Sequence, residues 1–245
     1  LTDVTGVQTC ALPIYTEIPG NLGDMWREDN GNPWLAFYDA DNQLIKVAVP
    51  STGAGKTDMA ANNWQSEILA APDTVVDALK YTATDDGARW ILWHEVNGKL
   101  VLARFDGVWT YFTISNTTDK GIALIARGDM VHFAWRERAD HKIRATTFAD
   151  GEMYHEEVDQ INSEVVDLEL ARHLDTDFGW LAYVTKSEKL VVITNMIEGL
   201  ERTQLSDRAK AVALALDPGG LPFVGEITRG ETGGFARMHY ISMGQ

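Results

Sequence analysis

The chain holds one cysteine in 245 residues, Cys10, so no internal disulfide can form. Basic side chains are scarce. Lys and Arg number 21 against 36 Asp and Glu, and the resulting net charge of −15 repels phosphate backbones and anionic membrane surfaces. Neither nucleic acid nor a membrane is therefore expected as a partner. No stretch approaches the roughly 18 uninterrupted apolar residues that a spanning helix needs. Helical periodicity is missing as well, since no window keeps an i, i+3, i+4, i+7 pattern for more than a turn or two. What remains is ordinary globular composition, 45% hydrophobic and 23% charged, in a chain long enough to build a core without staples.

Residues Val4 to Ile14 read VTGVQTCALPI and resemble the translation of a common short-read sequencing adaptor, the mark of a metagenomic sequence. Residues 1–14 are accordingly set aside from fold reasoning, as a tag would be, and 15–245 are read as one domain. Cys10 falls in the excluded part, which leaves the rest without thiol chemistry.

From there on one block recurs. It begins GNPWLAFYDADNQLIKVAV at Gly31 and GARWILWHEVNGKLVLARF at Gly87, and returns at Gly128, Asp177 and Gly220. Anchoring on Trp34, Trp90, Val131, Trp180 and Phe223 gives spacings of 56, 41, 49 and 43 residues. Each block holds two apolar or β-branched runs around a polar turn, which is a hairpin pattern. A strand-like segment ending in Asp/Gly or Pro/Gly precedes each hairpin, and a further segment follows it. Four strands per repeat of this length predict a propeller blade. The expected fold is all-β, with about five four-stranded blades, as a whole ring or as part of a larger one. The last repeat stops after its third strand, and Tyr15 to Ile18 would supply the fourth.

The first block resembles a repeat of bacterial β-propeller proteins through Gly31, Pro33, Trp34, Tyr38, Asp39, Asn42, Leu44, Ala48 and Trp64. That resemblance implies the superfamily of sialidase-like and lectin-like propellers, and a secreted or extracytoplasmic bacterial protein. Fold alone does not choose among their activities.

Most local motifs fail on inspection. GAGKT at Gly53 to Thr57 has Pro50 where a phosphate loop needs its first Gly, and no helical period follows, so a flexible loop is expected. The repeated Ser-x-Asp-x-Gly-x-Thr-Trp turns of sialidases are missing, although Arg27, Arg136 and Arg229 are available as a carboxylate grip. Six histidines show no paired ligand spacing, and Asp39-x-Asp41-Asn42 lacks the Gly and distal Glu of a calcium loop, so neither metal nor cofactor is expected.

Geometry is a better guide. The end of the second strand and the start of the first surround one mouth of a blade ring. Aligned by their anchors, the blocks put Tyr38, His94 and Trp135 at one position there, Asp39, Glu95 and Arg136 at the next, and Asp77 with Asp167 near the innermost strand. Aromatics beside acids and an arginine suit a sugar. The sequence thus predicts a non-catalytic module that binds a glycan or a protein loop at this mouth. The rivals are a sialidase-like or five-bladed glycoside hydrolase with paired carboxylates, and a structural interaction domain of a larger protein. A perturbed carboxyl beside a second carboxylate in the funnel would favour hydrolysis, a wide mouth lined by aromatics without such a pair would favour the lectin-like reading, and a mouth plugged by Lys, Arg or bulky apolar side chains would favour the structural role.

Overall fold

A computed structural model describes residues 22–27, 33–50, 64–172, 179–196, 199–217, 220–230 and 233–240. These residues form nineteen antiparallel strands and no helix. Blade 1 holds β1 (Leu22–Arg27), β2 (Pro33–Asp39), β3 (Leu44–Pro50) and β4 (Trp64–Ala70). Blade 2 holds β5 (Val76–Ala83), β6 (Arg89–Glu95), β7 (Leu100–Phe105) and β8 (Trp109–Ser115). Blade 3 holds β9 (Thr118–Arg127), β10 (Met130–Glu137), β11 (Lys142–Ala149) and β12 (Glu152–Gln160). Blade 4 holds β13 (Val165–Arg172), β14 (Gly179–Thr185), β15 (Leu190–Met196) and β16 (Gly199–Ser206). Blade 5 holds β17 (Ala209–Leu216), β18 (Pro222–Gly230) and β19 (Gly233–Tyr240).

In every blade the strands lie side by side in chain order, and the first strands of successive blades pack on one another. Those first strands are the inner wall. Alternation along each strand sends apolar side chains to both faces of the sheet, so blades 2, 3 and 4 each have a core on either side. Tyr38, Ala36 and Val47 of blade 1 meet Leu79, Ile91 and Trp93 of blade 2. Trp90, Leu92 and Leu102 of blade 2 meet Val131, Phe133 and Trp135 of blade 3. Ala134 and Ile143 meet Leu168, Leu181 and Tyr183 across the next seam, and Trp180, Ala182 and Val192 meet Val212 and Val224 across the last.

Local chemistry fixes the joints. Asp150 and Gly151 both take positive φ, 53° and 80°, which is the two-residue turn whose twist matches a hairpin. Gly121 is required for another reason: a Cβ there would stand 2.5 Å from Val165 Cγ1, so only glycine lets β9 approach β13.

Hairpin pairing corrects the anchoring of the third block. Tyr38 pairs with Ile45 and His94 with Leu100, and in blade 3 the matching pair is Arg136 with Ile143. Arg136, not Trp135, therefore shares the position of Tyr38 and His94, and His132, not Val131, shares that of Trp34, Trp90 and Trp180. A slip of one residue moves a side chain to the opposite face. The run Val131–Trp135 contains a histidine at the position where blades 1, 2 and 4 show tryptophan and blade 5 phenylalanine, and that hid the register.

Blade 5 has three strands among the described residues, and no ladder there joins it to blade 1. Its forward face is apolar and open: Ile227 is 54% exposed, while the equivalent Tyr38, His94, Arg136 and Val184 are at most 3% exposed. The expected closing strand, Tyr15 to Ile18, lies outside the described residues, as does the Gly53 to Thr57 loop.

Candidate functional site

The structure gathers the predicted mouth residues at one end of the blades but buries most of them. Tyr38, His94 and Trp135 are 2%, 1% and 3% exposed, packed in the seams between blades. Trp135 stacks on Phe133 with ring centroids 5.5 Å apart, on the face toward blade 2.

The neighbouring polar positions serve the fold. Asp39 accepts from Lys46 Nζ at 2.5 Å and from the side-chain and backbone nitrogens of Asn42, and these, Lys46 foremost, hold its carboxyl down at about 2. Glu95 accepts from the Thr74 amide at 3.0 Å, which ties the hairpin of blade 2 to the link entering it. Arg136 Nη1 donates to buried Asp119 at 2.7 Å, and Arg136 Nε and Nη2 donate to the Ile161 carbonyl. Asp119 in turn accepts the Val165 amide at 2.8 Å, so this cluster joins blade 3 to blade 4. His94 does the same one seam earlier, with Nδ1 at 2.5 Å from Asp77 and Nε2 donating to the Thr118 carbonyl at 3.1 Å.

Asp77 and Asp167 are different, because both line a cavity of about 280 Å³ in the central channel with Asp24, Lys80 and Lys120. Among the described residues of the channel, one carboxyl is perturbed. Burial pushes Glu169 up against the pull of Lys80, with Asp167 and Asp24 adding repulsion. Lys80 Nζ stands 2.6 Å from Glu169 Oε1 and engages that carboxylate. A carboxyl held by a lysine across the channel is placed as a brace, not as a free proton donor facing a substrate.

A second cavity, of about 210 Å³, opens at the opposite end of the blades, in the seam between blades 3 and 4. Sequence reasoning missed it. Ile125, Leu170, Leu181 and Ile193 make its apolar wall, while His132, Thr147, Glu156 and Arg172 supply polar groups and Tyr154 and Leu200 form an exposed rim. Strand pairing explains why these meet. His132 lies opposite Thr147, and Thr147 opposite Tyr154, so all three share the face of blade 3 that looks at blade 4. Arg172 ends β13 opposite Gly179, the first residue of β14.

Hydrogen bonds set the ring of His132. Nδ1 stands 2.9 Å from Thr147 Oγ1 and 3.0 Å from Arg172 Nη1. The same Nη1 lies 3.4 Å from Nε2, and because an arginine only donates, the contact requires an unprotonated nitrogen on the imidazole. Burial first, then the charges of Arg172 and Arg127, lower the imidazole to about 4. His132 is neutral at pH 7.

The comparisons agree on architecture. No family model matches the chain, and no curated protein does. Among solved structures, the six-bladed fucose lectin of Aleuria aurantia is similar with TM-score 0.59 and 12% identity, over 90% of this chain and 77% of that one. A protein of Arthrobotrys oligospora is similar with TM-score 0.59 and 11% identity, over 89% and 68%. A microbial sialidase is similar with TM-score 0.52 and 13% identity, over 84% of this chain and 52% of that one. At such identities the likeness concerns the fold, and the chain is an all-β protein of propeller type with five described sheets beside the six blades of the Aleuria lectin.

Proposed function

We propose that the protein is a non-catalytic carbohydrate-binding propeller whose ligand sits in the seam between blades 3 and 4. The observation that carries this reading is the cavity itself, an apolar wall faced by His132, Thr147, Glu156 and Arg172. A sugar ring offers the complement, with C–H faces for the wall and hydroxyls for the polar groups. Its volume of about 210 Å³ lies below the about 300–1,000 Å³ of drug-sized pockets, which fits a single ring better than an oligosaccharide. The fold neighbours support the class of ligand, since the Aleuria lectin was crystallised with α-methyl-L-fucoside.

A glycan array followed by calorimetry tests this. Binding of a monosaccharide or its methyl glycoside is expected, weakened about two- to twelvefold in Glu156→Ala, where about 0.5–1.5 kcal/mol of hydrogen bonding is lost. A protein that stays folded and binds no glycan on the array would sink the reading.

A further inference from the structure

The four seams between consecutive blades repeat the same construction, and the side chains at one position of each decide whether the seam is filled. The first member of the position comes from the forward face of the earlier blade: Trp34, Trp90, His132 and Trp180. The second is the residue that opens the middle of the later blade's sheet at the same end: Arg89, Val131, Gly179 and Pro222.

In the first seam the Arg89 guanidinium lies 3.5 Å from the centroid of the Trp34 ring and 5.4 Å from that of Phe105, which itself packs on Trp109 at 5.0 Å. The protein's own cation and three aromatics occupy the place. In the second seam Trp90 meets Phe148 at 4.8 Å, with Phe112 behind it at 5.7 Å and Val131 fully buried. In the fourth, Trp180 is 2% exposed among Val224, Leu214 and Leu216. Only the third seam pairs a histidine with a glycine, the smallest combination of the four, and only there is the cavity described above found among the described residues.

Resting on the proposed carbohydrate binding, we infer that the protein takes one sugar ring per chain at these seams, and that His132 and Gly179 are the residues that open the site. The other three seams present the same backbone frame with the space already filled from within. A chain with one open seam among the four described binds a glycan at that seam without cross-linking. Specificity then resides in one unrepeated set of contacts, His132, Thr147, Glu156 and Arg172.

Gly179 offers a clean test because a Cβ added there meets nothing within 4 Å. Gly179→Arg copies the residue that fills the first seam, and His132→Trp copies the other member. Calorimetry with α-methyl-L-fucoside and the methyl glycosides of galactose, glucose and mannose should give a stoichiometry near one for the wild type. Affinity for the glycoside that binds should fall at least tenfold in Gly179→Arg and in His132→Trp, with near-ultraviolet circular dichroism unchanged. A polymer bearing the same sugar should not precipitate with the wild type. A stoichiometry of two or more, or a precipitate, would overturn the single-site inference while leaving carbohydrate binding in place. Binding that survives both substitutions in folded protein would place the site elsewhere. No binding of any glycoside by the wild type would remove the functional reading itself. Should Gly179→Arg fail to fold, His132→Trp carries the same test.

Discussion

Lys80 Nζ and Glu169 Oε1 stand 2.6 Å apart across the channel, joining β5 of blade 2 to β13 of blade 4 over the intervening β9. Each side chain is about a quarter exposed, 27% and 26%, so water screens the pair in part. Lys80→Met leaves a partly buried carboxylate without its partner and should destabilise the fold by about 1–3 kcal/mol, below the 3–5 of a fully buried pair. Adding Glu169→Leu should restore most of that loss in urea unfolding. A double variant as unstable as the single one would show that the lysine stem, not its charge, matters.

Arg136 and Asp119 provide a harsher case, because neither is more than 3% exposed. Arg136→Ala should cost about 3 kcal/mol, because buried Asp119 at the junction of blades 3 and 4 loses its buried cation and keeps only the half-exposed Arg138 at 3.0 Å and the Val165 amide. If Arg136 instead met a ligand at the mouth, the substitution would weaken binding and spare the midpoint. Thermal unfolding and calorimetry on the same preparation separate the two.

His132 makes stability depend on pH with a definite sign. Its folded value near 4 lies below the ordinary 6.5, so between these the unfolded chain binds the additional proton and stability falls as pH drops. The full loss is about 3 kcal/mol, reached near pH 4 and absent above pH 6.5. His132→Gln should flatten that part of the profile relative to wild type. Two profiles that run parallel from pH 7 to pH 4 would contradict the assignment.

Glu226 is the least satisfied carboxylate described. Its side chain is fully buried, neither oxygen has a hydrogen bond among the described residues, and the nearest basic side chains are His239, with Nε2 at 3.3 Å, and Arg237 at 3.9 Å. Burying a charge without hydrogen bonds costs free energy. Glu226→Met should therefore raise the urea midpoint, by about 1 kcal/mol of stability or more. A lower midpoint would mean that the contact with His239 outweighs the desolvation.

Strands were easier to read than the site. Runs such as LIKVAV and RWILWHE alternate or persist as strands must, and the Asp-Gly and Pro-Gly turns punctuate them, so all five hairpins were visible. Faces were harder. The aromatics and polar residues at the strand ends, Tyr38, His94, Asp39 and Arg136, look like a binding surface in one dimension, yet two-sided blades bury such positions. The seam cavity left no motif at all. Its signal is a pair of small departures, histidine for tryptophan at 132 and glycine for arginine at 179, and these align only once the third block is placed in its true register.

The links between blades are two to five residues long, and each sheet is built from one uninterrupted stretch of chain. Nearly all hydrogen-bonded pairing is thus between neighbours in sequence, which keeps the contact order low for an all-β protein and the entropy of loop closure small. Docking of preformed sheets is the slow, non-local part of folding. A defect in one seam is then felt by the two sheets that share it, as in a linear array of coupled units, and hydrogen exchange would map it to those sheets before the rest.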